Sequence, residues 1–211
     1  AVTSTGRQGV NGMQLLVATH NLGKVRELAD MLGDLQVDWL SLDDIALSDE
    51  VAETGETFRE NAILKASGYA GKSGLLTLAD DSGLEVDALD GRPGVHTARF
   101  GGPGLTPVQR YQRLLRELQD VPWSQRTARF RCVVALANPR GLIGTAEGVC
   151  EGMIAHEAAG DGGFGYDPVF YMVDRQKTMA ELPAAVKHQL SHRGQAFARI
   201  VPILRQSLSD L

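Results

Sequence analysis

The stretch Leu78-Ala79-Asp80-Asp81-Ser82-Gly83-Leu84-Glu85-Val86-Asp87 sets two adjacent carboxylates between two apolar patterns. Upstream, residues 75–79 form a short apolar run of the kind that makes a buried strand. Downstream, Leu84, Val86 and Ala88 alternate with Glu85 and Asp87, the period-two signature of a half-buried strand. Ser82 and Gly83 are a small pair that permits a turn and lets a ligand come close to the backbone. The expectation is therefore strand, acidic turn, strand. Paired Asp at a strand end suits a hard divalent cation such as Mg2+, which takes one or two carboxylates together with waters and phosphate oxygens. An Asx-type turn carrying two solvated acids accounts for the same residues equally well, so the rest of the chain has to separate the two readings.

With 211 residues the chain can bury one sizeable core, as a single large domain or as two lobes sharing one sheet. A net charge of -5 argues against a nucleic-acid polymer as the main partner, because such partners favour a basic face. A single nucleotide is compatible with that charge, since a few local lysines can serve one phosphate group. Cys132 and Cys150 sit in apolar strand-like runs and read as small core hydrophobes of a reducing compartment. No apolar run reaches the length of a membrane span, and none follows a basic start as in a signal peptide. These patterns predict a cytoplasmic protein that does not engage a membrane. Residues 1–12 lack periodicity and are expected to be a flexible extension to one domain spanning 13–211.

Residues 14–18 read as a short buried strand, followed by the turn Thr19-His20-Asn21-Leu22-Gly23-Lys24. Leu22, Val25, Leu28, Ala29 and Leu32 then recur at helical spacing, closed by Gly33. A strand, a small-residue turn and a helix start present backbone N–H groups and the positive end of a helix dipole, and Lys24 adds a full charge there. This outlines a phosphate cradle, although not the Walker sequence, because Val25 stands where Ser or Thr should follow the lysine. Helix capping by Thr19 and Asn21 is the plainer reading of the same residues.

Residues 37–40 form the next expected strand, ahead of an acidic loop, 43–55, that carries Glu53. Thr57-Phe58-Arg59-Glu60 is a capping box opening a helix with Phe58, Ala62, Leu64, Ala66 and Tyr69 as apolar surface, and Lys65 rides on it. Thr106-Pro107-Val108-Gln109 opens another. Residues 127–137 and 142–154 flank Asn138-Pro139-Arg140-Gly141 as a hairpin. In the run Gly160-Asp161-Gly162-Gly163-Phe164-Gly165-Tyr166-Asp167-Pro168 the glycines imply a backbone that folds tightly or approaches a ligand. Phe164 offers a flat face to a base, whereas Tyr166 reads better as packing. Thr178-Met179-Ala180-Glu181 is a third capping box. After Lys187 and Ser191-His192-Arg193-Gly194, a last helix is expected to bury Phe197, Ile200, Val201 and Leu204, with Pro202 kinking it.

Five of these motifs, in this order and spacing, resemble the inosine/xanthosine triphosphate pyrophosphatase family. They are the turn Thr19 to Lys24, the run Phe58 to Ala66, Ala79-Asp80-Asp81-Ser82-Gly83-Leu84, Gly163 to Pro168, and Lys187 with Ser191-His192-Arg193. The resemblance extends from about Met13 to the last helix. It implies an α/β fold: an elongated, mixed, twisted sheet flanked by helices, in two lobes with the active-site cleft between them. It also implies a Mg2+-dependent homodimer that hydrolyses the triphosphates of inosine, deoxyinosine and xanthosine to the monophosphate and pyrophosphate.

By motif, Asp81 matches the family's proton acceptor and a metal ligand, and Glu53 a second metal carboxylate, with Asp80 near enough to assist. Lys24, Lys65 and Lys187 match phosphate-contacting lysines, and Thr19, His20, Asn21, Leu22, Gly23 and Ser82 belong to the substrate site. Phe164, Gly165, Tyr166 and Asp167, with His192 and Arg193, match the base pocket. His20 departs from the Gly or Asn found in many relatives. A related hydrolase with another base preference and a non-catalytic nucleotide-binding module are the alternatives. Donors such as His192 and Arg193, suited to a purine O6, oppose the first. Glu53, Asp81 and three lysines oppose the second, since binding alone needs no metal-plus-base arrangement.

Overall fold

The computed structural model describes residues 12–20, 25, 28–29, 32 and 35–209. Among them, seven strands form one mixed sheet: β1 (Met13–Val17), β2 (Val37–Leu40), β3 (Leu76–Val86), β4 (Thr127–Asn138), β5 (Gly141–Ile154), β6 (Phe170–Met172) and β7 (Lys177–Thr178), in the order β2-β1-β3-β4-β5-β6-β7. β1 runs parallel to both β2 and β3, and every later neighbour is antiparallel. Helices α1 (Phe58–Ser73), α2 (Pro107–Glu117), α3 (Ala184–Leu190) and α4 (His192–Ser209) flank it. The α/β class and the mixed sheet are as expected.

The capping boxes at Thr57 and Thr106 close the starts of α1 and α2, with Oγ1 of each threonine accepting the N–H three residues on. The third box, at Thr178, opens a single 3-10 turn, Met179–Glu181. α4 buries Phe197, Ile200 and Leu204 and continues through Pro202 to Ser209. Both cysteines are buried and free. Val25, Leu28 and Leu32 are buried in the first core. Residues 26–27, 30–31 and 33–34 of that expected helix and its close, the turn residues Asn21, Leu22, Gly23 and Lys24, and residues 1–11 lie outside the described residues.

Ser82 and Gly83 do not turn. β3 runs unbroken through the acidic pair and registers against β4 from Thr77 with Ala137 to Val86 with Ala128. The apolar run and the alternating run are one strand because a partner of full length takes up the backbone hydrogen bonds between them. The small size of Gly83 serves packing instead. A Cβ there would collide with Thr97 Oγ1 and lie 2.7 Å from the Gly94 carbonyl oxygen. Both belong to a 3-10 segment, Gly94–Arg99, laid against the strand.

Unbroken alternation then distributes the side chains. One face of β3 carries Leu76, Leu78, Asp80, Ser82, Leu84 and Val86. Leu76 and Leu78 enter a core with Val134, Leu136 and the apolar stripe of α4. Leu84 and Val86 enter a second core with Phe130, Ile154 and Phe170. Asp80 and Ser82 fall between the two cores, so the division into lobes on this face occurs at polar positions of a single strand. The opposite face packs Ala79, Val133 and Ala135 against Ala62, Ala66 and Ala70 of α1. Gly83→Ala is expected to cost about 1–3 kcal/mol by overpacking and to lower Tm by about 5 °C. An unchanged thermal midpoint would show that the 3-10 segment yields freely.

Candidate active site

A carboxylate cluster forms where α1 crosses β3. Asn61 and Lys65 are one helical turn apart on the face that meets the strand. Lys65 Nζ lies 3.3 Å from Glu53 Oε1 and 3.9 Å from Asp81 Oδ1. Asn61 is buried, and its side-chain oxygen accepts the Gly55 N–H at 2.8 Å, which pins the acidic loop that carries Glu53. Asp81 Oδ1 accepts the Ser82 N–H at 3.1 Å, while Oδ2 is buried with no hydrogen-bond partner. Burial pushes the Asp81 carboxyl up to about 6; Lys65 and the Asn61 amide pull it down, and the charges of Glu53 and Asp80 add to the rise.

An unpartnered buried carboxylate oxygen, a second carboxylate and an ammonium drawn between them make a place that attracts cations. Among the described residues no group of three or more His, Cys, Asp or Glu gathers to cage a metal. Two carboxylates fit a hard divalent ion whose remaining ligands are water and phosphate oxygens.

On the other face of β3, between the lobes, lies a cavity of about 550 Å³ whose wall includes Ser82, Thr97, Phe130, Phe164, Lys187, His192 and Arg193. Phe164 is two-thirds exposed, and Lys187 Nζ sits 4.7 Å from the centre of its ring. The buried Asp167 pairs with Lys187 and accepts the Phe164 N–H at 2.8 Å. Gly163 adopts φ 76°, and any Cβ there would strike that ion pair, which explains the glycine. Tyr166 is buried and donates its hydroxyl to the Thr97 carbonyl at 2.9 Å, anchoring the glycine-rich loop to the 3-10 segment. Its phenol is pushed up by burial.

Ser191 Oγ accepts the Gly194 N–H at 3.0 Å, so His192 and Arg193 occupy the first turn of α4. The His192 ring stacks on Phe130 with centroids 5.0 Å apart. Burial drives its pKa down to about 4; the Arg193 and Lys187 charges reinforce this and Asp80 opposes it. The imidazole is therefore neutral at pH 7, and its Nδ1 is buried with no hydrogen-bond partner. Arg193 Nη2 lies 3.4 Å from Asp80 Oδ2.

Cluster and cavity lie to either side of a stretch of β3 that no described strand pairs on its β1 edge. β1 pairs with β3 only as far as Val17 with Leu78, and the Ala18 N–H closes on the Leu78 carbonyl at 2.8 Å. Farther along, Thr97 Oγ1 caps the edge by accepting the Leu84 N–H at 2.9 Å. Between these two points, at Asp80 to Ser82, no strand pairs with that edge among the described residues. Ser82 in the cavity wall is one residue, about 3.3 Å of strand, from Asp81.

Several expected site residues thus converge, and others separate. Glu53, Lys65 and Asp81 form one group; Ser82, Phe164, Gly165, Tyr166, Asp167, Lys187, His192 and Arg193 form the other. Lys187 sits with Asp167 and Phe164, not with Lys65. Asp80 points to the opposite face from Asp81 and is engaged by Arg193, so it does not join Glu53. Thr19 follows β1 and its carbonyl accepts the Leu42 N–H at 3.1 Å. His20 is exposed, its Nδ1 2.7 Å from Asp43 Oδ1. Asn61, Thr97 and Phe130 were not anticipated. Asn61 left a trace, as a polar residue on the apolar face of α1. Thr97 and Phe130 reach the site only through the 3-10 segment and strand pairing, which no local pattern records.

A model of the Ham1 family matches residues 15–203. The chain belongs to the Ham1 family. Among its Ham1 relatives, a protein of Desulforamulus reducens named dITP/XTP pyrophosphatase is 50% identical over 194 residues, covering 92% of this chain and 96% of that protein. One of the same name from Geobacter sulfurreducens is 50% identical over 185 residues, 88% of this chain and 93% of the other. Of solved structures, a HAM1 protein from Coxiella burnetii superposes with a TM-score of 0.87 at 40% identity, covering 92% of this chain and 99% of that one. A nucleoside-triphosphatase / dITP/XTP pyrophosphatase from Mycobacterium abscessus gives 0.79 at 42% identity, over 90% and 100% of the two chains.

The raised Asp81 pKa has a stability consequence in the absence of metal. Unfolded, Asp81 ionises near 3.8, whereas the folded chain holds the proton to about 6. The group therefore destabilises the fold progressively as pH rises from about 4 to about 6, by at most about 3 kcal/mol, and by a constant amount above that. Without divalent cations, Asp81→Asn is expected to melt higher than the parent at pH 7.5, with the gap closing toward pH 4. A lower melting temperature at pH 7.5 would show that the carboxylate is well paired.

Proposed function

We propose that this Ham1-family chain is a Mg2+-dependent nucleoside triphosphate pyrophosphatase acting on ITP, dITP and XTP, removing non-canonical purine nucleotides as monophosphate and pyrophosphate. The observation that carries the reading is the buried, unpartnered Asp81 oxygen beside Glu53 and Lys65, one residue along β3 from the wall of the cavity. The names of the relatives support the choice of substrate.

A base lying on Phe164 sends its phosphates past Ser82 and over the β1 edge of β3 to the carboxylate cluster. Glu53 and Asp81 would hold Mg2+, which when bound would supply charge neutralisation at the phosphate oxygens. Phosphoryl transfer asks the protein mainly for positioning and charge, and Lys65, with the turn Thr19 to Lys24, provides both. Asp81 accepts the proton of the attacking water. The water oxygen bonds to phosphorus as the bridge between the α- and β-phosphates breaks, and pyrophosphate leaves. A cation bound beside Asp81 would bring its raised pKa back down and keep the base ionised at neutral pH.

Base selection follows from donors. A neutral His192 offers an N–H, and Arg193 a permanent charge, to the acceptor oxygen at C6 of hypoxanthine or xanthine. The amino group of adenine would place a donor against these donors and leave buried groups unpaired, which is costly. The homodimer and cytoplasmic location belong to this proposal through the family resemblance. Among the described residues no helix is long and apolar enough to cross a membrane.

With Mg2+ the purified protein is expected to release pyrophosphate from ITP, dITP and XTP far faster than from ATP. Asp81→Asn should lower kcat by about 10^2 to 10^4. Wild-type turnover in that variant, or tight ITP binding without hydrolysis by the parent, would overturn the proposal. Arg193→Ala is expected to reduce the inosine-to-adenosine ratio of kcat/KM; an unaltered ratio removes Arg193 from base selection.

A further inference from the structure

Three cations line the cavity: Arg110 donates to the backbone carbonyls of Phe100 and Leu105, whereas Lys187 and Arg193 each face a carboxylate. Lys187 is paired with Asp167, and Arg193 with Asp80. The Asp80–Arg193 pair is well buried, with side-chain exposures of 12% and 18% and an Nη2 to Oδ2 distance of 3.4 Å. It joins two elements of different lineage. Arg193 stands in the first turn of α4, whose apolar stripe is sunk in the first core. Asp80 stands on β3 at the gap between the two cores, next in sequence to Asp81 but on the other face of the sheet.

The purine oxygen that Arg193 would meet is neutral, and this makes the counter-charge matter. A largely buried guanidinium needs a carboxylate to offset desolvation, and a neutral acceptor cannot provide it. Were Arg193 unmatched, the cavity would favour an anion over a base. A matched and held guanidinium also has less rotamer freedom left to lose when the base arrives. Asp80 meets both needs while leaving the cation cluster to Glu53 and Asp81.

We propose that Asp80 is a positioning residue for purine recognition: it holds and neutralises the Arg193 guanidinium at the base cavity and takes no part in the cation site. The inference rests on the base-pocket reading above and extends it to a residue that the motif resemblance placed with the metal.

The test measures dissociation constants of inosine monophosphate and adenosine monophosphate by calorimetry on the full chain, together with the Mg2+ concentration giving half-maximal pyrophosphate release from ITP. Asp80→Asn is expected to shrink the preference for the inosine nucleotide by about tenfold or more. The Mg2+ midpoint is expected to stay within about twofold of wild type. In an Arg193→Ala background, Asp80→Asn should narrow the preference no further, because the two residues act as one unit. Asp80→Ser carries the same measurements should Asp80→Asn not fold. An intact inosine preference in a folded Asp80 variant, additive losses in the double variant, or a large shift of the Mg2+ midpoint would each overturn the assignment. Absence of ITP hydrolysis by the wild type would instead defeat the proposed activity, and the binding measurements would still decide the role of Asp80.

Discussion

An uninterrupted strand with a short neighbour governs the arrangement of this molecule. β3 continues past the end of β1, so its backbone is paired with β4 along its whole length but loses β1 after Leu78. Two consequences follow from that mismatch. Among the described residues no strand pairs with the edge at Asp80 to Ser82. Period-two alternation also sends two neighbouring carboxylates in opposite directions. Asp81 meets Glu53 and Lys65 under α1, and Asp80 meets Arg193 at the start of α4. The two clusters are thereby set on successive residues of one strand, which limits how far either can drift relative to the other.

Burial works in opposite senses at the two ends of the site. It raises the Asp81 carboxyl and lowers the His192 imidazole, because in each case the charged form is the one disfavoured. For Asp81 the result is a carboxyl that Lys65 and the Asn61 amide return only part of the way toward its ordinary range. For His192 the result is a neutral imidazole in a cavity where Lys187 and Arg193 each face a carboxylate.

The glycines contribute through space more than through flexibility. Gly83 makes room for Thr97, which caps the β3 edge and, through its carbonyl, receives Tyr166. Gly163 makes room for the Asp167–Lys187 pair beneath Phe164. Replacing either by a larger residue moves a wall of the cavity. The exposed Phe164 ring therefore rests on a loop tied down at both Tyr166 and Asp167.

Elements with local signals were legible in the residues themselves. The three capping boxes, the β4–β5 hairpin, the apolar stripe of α4 and the glycine-rich loop each depend on contacts within a few positions, and the structure forms all of them. The five motifs likewise carried the family. Ser82-Gly83 misled because a small polar pair permits a turn without requiring one, and only a full-length partner strand excludes it. Which carboxylates each lysine meets, and on which side of the sheet each aspartate falls, also depended on the assembled sheet. Pairing partners lie about fifty residues apart along the chain, as in Asp81 with Val133. A periodic pattern states that side chains alternate, but assembly of the sheet assigns each face its neighbours, and with them the separate tasks of Asp80 and Asp81.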